Sequence, residues 1–239
     1  MVSKAERHKS ELIERVTALA ATRVAADQAA TIAAFIAQFY ANVAAEDLVG
    51  ESPDDLYGAA LSLWTFGAQR TPGAAKVRAY NPRLDEQGWH SAHTVVEMIN
   101  DDMPFLVDSL TAALNQRDLT VHLVIHPILR VRRDARGKRL GQGDGTELVE
   151  SHIQIRINEQ SSPDRLADIC AELERVLADV RASTEDWRKM RAQTEEVLSS
   201  LAAPPAGLPA DEVAEARAFL AWLNDDHFTY LGYREYAFT

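Results

Sequence analysis

Residues 93–118 change their repeat partway along: His93-Thr-Val-Val-Glu-Met-Ile-Asn-Asp-Asp-Met-Pro-Phe-Leu-Val-Asp-Ser-Leu-Thr-Ala-Ala-Leu-Asn-Gln-Arg-Asp118. Up to Ile99, β-branched residues alternate with polar ones, which predicts a strand. From Leu106 the apolar residues Leu110, Ala113 and Leu114 follow at spacings of three and four, which predicts a helix burying one stripe. Between the two, Asn100, Asp101 and Asp102 offer side-chain oxygens as helix caps, and Pro104 fits a first helical turn. A strand that runs straight into a helix commits the chain to mixed layers. It also leaves backbone N–H groups at the helix start free to meet an anion.

Before this stretch, residues 3–68 read as helix. One helix carries Leu12, Ile13, Val16, Leu19, Ala20 and Val24. An Ala-rich second carries Ile32, Phe35, Ile36, Phe39 and Tyr40. A third starts at the cap Ser52 with Pro53 in first position, and carries Leu56, Ala60, Leu63 and Trp64. Thr71-Pro72-Gly73 ends the helical region, and Lys76–Tyr80 is a short strand candidate.

After it, residues 120–132 predict a long strand. Gly137, Gly141, Gly143 and Gly145 punctuate a hairpin. Residues 147–158 alternate most clearly, with Ile153, Ile155 and Ile157 opposed to His152, Gln154 and Arg156. A helix begins at Ser162-Pro163, and its stripe absorbs the single cysteine, Cys170, as a core residue. The order β-α-β-β-α wants a fourth strand, and Lys76–Tyr80 is expected to supply it, antiparallel beside residues 93–100. Residues 184–201 read as helix, 203–209 as a Pro-rich linker, 211–224 as helix, and 228–239 as a strand without a partner. A chain that stops inside a strand implies a piece of a longer polypeptide.

Asp102-Met-Pro-Phe-Leu-Val-Asp108 resembles the D-R-P-G-L-L-A-D signature of ACT domains. The wider run Asn100-Asp-Asp-Met-Pro-Phe-Leu-Val-Asp-Ser109 is similar to the N-terminal segment of the large bacterial NAD-dependent glutamate dehydrogenases. So is the distant Phe219-Leu-Ala-Trp-Leu-Asn-Asp-Asp-His-Phe-Thr-Tyr-Leu-Gly-Tyr-Arg-Glu-Tyr236. The resemblance implies an α+β fold: an ACT-like, ferredoxin-like antiparallel sheet of four strands with two helices. A helical bundle would precede it and a helical linker follow it. The expected divisions are a helical region over 1–70, the ACT-like domain over 71–182, helix and linker over 183–210, and a helix with the first strand of a next domain over 211–239.

Composition narrows the function. Acidic residues number 36 against 25 basic, a formal charge of −11, which disfavours nucleic acid and anionic membranes as partners. One cysteine excludes an internal disulfide and a Cys-rich zinc site. No apolar run approaches the roughly 20 residues of a membrane span, and the N-terminus lacks a signal-peptide core, so a cytoplasmic protein is expected.

Motifs of independent catalysis are absent from the sequence. Gly141-Gln-Gly-Asp-Gly145 lies between two strands, where a dinucleotide loop must open a helix. His93, His122, His126 and His152 could converge on zinc, or could belong to a hydrogen-bonded or covered sheet face. Arg130, Arg132, Arg133, Arg136, Lys138 and Arg139 form a basic run that could dock an acidic partner or an anion. It could equally be a solvated hairpin that discourages edge pairing.

The ACT resemblance implies a candidate effector turn, Asn100, Asp101, Asp102, Met103, Pro104, Phe105 and Leu106, near which family members bind an amino acid. The family has glycine where Phe105 stands. A second candidate surface joins Val95, Ile99, Val124 and Ile128 with His122, His126, His152, Gln154 and Arg156. It would associate with another copy, unless the chain's own helices cover it.

Two functions follow. One is a non-catalytic regulatory or oligomerising segment of a large NAD-dependent glutamate dehydrogenase, with NAD and catalysis outside these residues and the enzyme's downstream domains as partners. The other is an independent amino-acid-sensing or scaffold domain.

Overall fold

The computed structural model describes residues 3–141, 145–204 and 207–236. The chain forms two compact units, one ending at Ala178 and the other beginning at Asp179.

Three helices open the first unit. In α1 (Lys4–Arg23), Ser3 accepts the Glu6 N–H at 3.1 Å as cap, and Leu12, Val16 and Ala20 are buried at four-residue intervals. Helix α2 (Ala26–Tyr40) buries Ile32, Phe35, Ile36, Phe39 and Tyr40. Helix α3 (Pro53–Phe66) starts as the sequence predicts. Ser52 accepts from the Asp55 N–H at 3.0 Å, and Pro53 occupies the first turn, where its missing N–H costs nothing.

Strand β1 (Lys76–Tyr80) and a single helical turn, α4 (Leu84–Gln87), lead into β2 (Thr94–Asp101). Helix α5 (Leu106–Asn115) follows, then β3 (Val121–Ile125), β4 (Ile128–Arg133), β5 (Arg139–Leu140), β6 (Thr146–Ile157) and α6 (Pro163–Thr184). β1 lies antiparallel beside β2, in the place expected for the missing strand.

The sheet has six strands rather than four, in the order β1-β2-β6-β4-β5, with β3 also pairing β6. The extra strands have a local cause. The long strand expected over 120–132 breaks at Pro127, which has no N–H to continue a ladder. Its carbonyl still accepts the His152 N–H at 3.0 Å, so β3 and β4 follow one another along the same edge of β6. β5 is the short return of the hairpin. Of that hairpin's expected glycines, Gly143 lies outside the described residues.

One sheet face carries Ile99, Leu123, Ile125, Leu129 and Val131. These join Leu12, Val16, Phe35, Ile36, Phe39 and Leu63 of α1–α3 in a single core. Burying one such side chain stabilises by about 1.5–3 kcal/mol. The N-terminal helices thus share a core with the sheet. The other face carries Val96, Met98, Ile153, Ile155 and Ile157, all wholly out of water. The two helices of the expected α+β unit bury Leu110 and Leu114 on α5 and Ile169 and Leu173 on α6. Arg117, just past α5, meets Glu172 of α6 at 2.8 Å.

The second unit contains α7 (Trp187–Ser200) and α8 (Ala210–Trp222). Arg191 of α7 donates to the Asn224 carbonyl at 2.8 Å. Residues 228–236 form no strand. A strand needs a neighbour's backbone to bond with, and none lies beside them among the described residues. The remaining residues of that expected strand, 237–239, lie outside the described set, as do 205 and 206 of the linker.

Candidate functional site

The turn between β2 and α5 is built differently from the capped helix start that the sequence suggests. β2 continues through Asp101, and α5 starts only at Leu106. The residue at the cap position is Phe105, with φ 68° and ψ 5°, and no side chain caps the helix. The carboxylates are too far back and are held by the sheet. Asp101 takes a hydrogen bond from Arg70. The Asp102 N–H donates to the Val149 carbonyl at 3.0 Å, and its carboxylate accepts from Ser151 Oγ at 2.7 Å.

Ser151 Oγ lies 2.8 Å from His126 Nε2. Because Ser151 gives its one proton to Asp102, His126 must donate. Burial depresses the His126 pKa, opposed by the Asp102 charge. A hydrogen-bonded chain His126–Ser151–Asp102 therefore ties the turn to β6 and to the β3–β4 break. Asn100 Nδ2 points at Met103 Sδ, 3.8 Å away. Pro104 sits in the turn rather than in the helix, and Leu106 is buried.

Phe105 is the anomaly. Left-handed backbone is where glycine costs least, and an L side chain there costs roughly 1–2 kcal/mol. The turn keeps the backbone of a glycine under a phenylalanine ring that is 43% exposed.

A layer of buried charge lies beneath the N-terminal helices. The Glu150 carboxylate accepts Arg133 Nε at 2.6 Å and Nη2 at 2.7 Å, Arg70 Nε at 3.0 Å and His152 Nε2 at 3.2 Å. Burial alone would push the Glu150 pKa up. The hydrogen bonds from Arg133 and His152, with the nearby Arg70 and Arg133 charges, instead hold it at about 2. Arg133 also donates to the carbonyls of Gly137 at 2.7 Å and Gly67 at 2.9 Å. Gly137 has φ 81°, and a Cβ there would stand 1.9 Å from the Arg70 carbonyl oxygen, so only glycine closes this hairpin against the loop. Arg70 reaches Asp101 from the same layer, which joins the buried charge to the start of the turn.

A second buried carboxylate, Glu97, takes Arg78 Nη2 at 2.5 Å and Gln154 Nε2 at 3.0 Å; burial raises its pKa against those contacts. A third ion pair joins Arg156 Nη1 to Glu51 at 2.6 Å.

The residues expected to form an association surface fall into separate places. Val95, Ile99, His152, Gln154 and Arg156 share the face beneath α1–α3 and are at most 5% exposed. Their cover comes from the chain itself, so a second copy could not meet them without displacing those helices. Val124 and Ile128 lie on the opposite face, paired with Ile155 and Ser151.

The four histidines do not gather. His93 precedes β2 and packs its ring 4.3 Å from that of His122. His126 sits in the β3–β4 break, and His152 is buried against Glu150. Among the described residues, no group of three or more His, Cys, Asp or Glu is placed to hold a metal ion.

Sequence reasoning missed the partners that organise the buried layer, Arg70 and Glu150. Glu150 had a signal: it continues the polar alternation of His152, Gln154 and Arg156 by one step. Arg70 had none, since it lies in an irregular loop and its partners are 31 and 80 residues away.

The sequence model of a family described as "Glutamate dehydrogenase, ACT1 domain" matches residues 35–173. The chain is 41% identical over 237 residues to a protein of Halomonas elongata named NAD-specific glutamate dehydrogenase, covering 97% of this chain and 15% of that one. It is 35% identical over 208 residues to a protein of the same name from Pseudomonas aeruginosa, covering 85% of this chain and 13% of that one. The chain thus spans about one seventh of the length of these relatives.

Proposed function

The chain belongs to the glutamate dehydrogenase ACT1 domain family, and from that premise we propose that it is a non-catalytic part of a large NAD-dependent glutamate dehydrogenase. On this reading the whole enzyme converts L-glutamate, NAD and water to 2-oxoglutarate, ammonia and NADH in the cytoplasm. NAD and the reacting groups lie in other parts of that enzyme. This part regulates or assembles it, with the enzyme's further domains and other copies as partners. No helix among the described residues is long and apolar enough to cross a membrane.

The observation that carries the reading is similarity along nearly the whole chain to a small portion of much longer dehydrogenases. The turn supports a regulatory role. Asp101 and Asp102 leave the end of β2 by different routes, one into the buried ion layer through Arg70 and the other onto Ser151 and His126. An amino-acid effector at Asn100–Leu106 would therefore act on both layers of the sheet.

The test has two arms. The 239-residue chain should not reduce NAD with glutamate. The full enzyme lacking residues 35–173 should change its assembly or its response to amino acids. Dehydrogenase activity in the isolated chain would overturn the reading, as would a deleted enzyme unchanged in both respects.

A further inference from the structure

Two imidazoles meet at one end of the sheet, beside a buried arginine that is short of acceptors. β2 and β3 both pair with β6. His93 stands immediately before β2, and His122 lies in β3 where its register with β6 shifts between Val121 and Leu123. The two rings lie 4.3 Å apart, and neither makes a hydrogen bond among the described residues.

Arg156 of β6, which pairs with Val95 and Leu123, stands close enough for its charge to act on His93. It is 5% exposed, and its hydrogen bond runs from Nη1 to Glu51 at 2.6 Å. Nε and Nη2 are buried with no partner among the described residues. A buried donor left unmet costs about 1–3 kcal/mol. This guanidinium therefore calls for more acceptor oxygen than Glu51 supplies.

Glu51 is a replaceable partner. It lies on the irregular stretch between the short 3-10 turn Ala45–Leu48 and α3, with its side chain 27% exposed. Its neighbour Gly50 has φ 86° and open space where a Cβ would stand. Tyr40 of α2 stands near both charges but offers none of its own. Its hydroxyl donates to the Leu56 carbonyl at 2.7 Å, and burial raises its pKa.

We propose that His93, His122 and Arg156 form a site for a small dianion, a dicarboxylate or a phosphate, which takes the place of the Glu51 carboxylate on Arg156. Arginine suits such a ligand because its planar fork matches paired oxygens. One oxygen would accept from Nη1 in place of Glu51, and others would accept from the imidazoles. Charge excludes a cation, which the guanidinium repels. Burial lowers the His93 pKa, and the His122 and Arg156 charges lower it further, while Glu51 raises it. A dianion favours the protonated rings, so binding takes up protons and strengthens as pH falls toward the imidazole range. The site lies at the start of β2, whereas the turn Asn100–Leu106 lies at its other end.

The test uses the whole 239-residue chain at fixed ionic strength. Succinate and inorganic phosphate are separate probes, and acetate is the monoanion control. NMR follows the ring protons of His93 and His122 and the Arg156 Nε–H. At pH 6.5 a dianion should move all three saturably and shift the His93 titration midpoint upward. The probe that saturates at the lower concentration identifies the ligand as carboxylate or phosphate. Succinate binding should weaken about tenfold by pH 8, where the imidazoles are neutral.

Glu51→Gln removes the resident carboxylate and should tighten binding about threefold or more. His93→Gln with His122→Gln should weaken it about tenfold or more. Arg156→Lys keeps the charge but loses the fork, and should weaken it as well. Should that variant lose its fold by circular dichroism, the histidine pair decides. No saturable binding, shifts confined elsewhere, or acetate as tight as either dianion would overturn the proposal. So would succinate affinity indifferent to pH, or binding unchanged in Glu51→Gln or in the double histidine variant.

Discussion

Arg133 grips Glu150 with two nitrogens, Nε 2.6 Å from Oε1 and Nη2 2.7 Å from Oε2, and both side chains are wholly out of water. Such a pair gains little over apolar packing, because both charges were taken out of water to form it. Breaking it is another matter, because the remaining charge is stranded. Arg133→Met should lower unfolding free energy by about 3–5 kcal/mol. Equilibrium urea unfolding measures this, and a loss below about 1 kcal/mol would show that Arg70 alone can hold Glu150.

The backbone at Phe105 makes a prediction of opposite sign for two substitutions. Phe105→Gly removes the left-handed strain of roughly 1–2 kcal/mol but frees the unfolded chain, which takes back about 0.5–1 kcal/mol. Its stability should stay level or rise slightly. Phe105→Val puts a β-branched residue where positive φ is least tolerated and should lose about 1–2 kcal/mol. Thermal unfolding of both variants decides. A glycine variant less stable than the valine one would mean the ring, not the backbone, dominates.

Gly58 sits within α3, where helix propensity alone favours alanine by about 0.8–1 kcal/mol. The structure predicts the reverse. A Cβ at Gly58 would stand 2.3 Å from Trp89 Cβ and 2.5 Å from Cγ, and Trp89 is 1% exposed. Gly58→Ala should therefore destabilise by about 1–3 kcal/mol through overpacking. Calorimetry, with near-UV circular dichroism to follow the displaced indole, measures both the loss and its site. A stabilised variant would mean that Trp89 does not pack on α3 as described.

What the sequence reveals and what it hides divide along a physical line. Period, caps and breakers are local, so Ser52-Pro53, the 3.6-residue stripes of α1–α3 and the alternation of β6 were all readable. The place of β1 followed from counting strands against an unprotected edge. Pro127 breaks the run expected as one strand over 120–132, because alternation alone does not show where a ladder loses its donor. The helix cap failed because Asn100, Asp101 and Asp102 are good caps by composition. The oxygens of Asp101 and Asp102 were claimed by Arg70 and Ser151, both remote in sequence. The candidate association face failed for a related reason. Alternation puts Val95, Ile99 and Gln154 on one face but cannot say which helices will lie across it.

Buried His152, with partly buried His93 and His126, sets the pH dependence of stability. Burial lowers the pKa of His93, helped by His122 and Arg156. It lowers that of His126 against Asp102, and that of His152 against Glu150 with help from Arg139 and Arg133. An unfolded histidine takes its proton near about pH 6.5. Below that value the unfolded chain binds protons that the folded one refuses, so stability must fall as pH drops. Glu150 acts in a lower window. Its contribution is complete above the unfolded value of about 4.3, and is lost as pH falls through its folded value of about 2. Glu97 works against both, because its raised pKa makes the folded state bind a proton more readily. Three histidines precede Glu150 on the way down, so the decline should begin near about pH 6.5 rather than in the carboxylate range. Urea unfolding from pH 8 to pH 5 at fixed ionic strength follows it, and His126→Gln should flatten part of the slope. Stability that is constant or rising as pH falls through this range, in a Glu97→Gln variant that removes the opposing carboxylate, would mean that His152 and His126 are not held neutral in the folded protein.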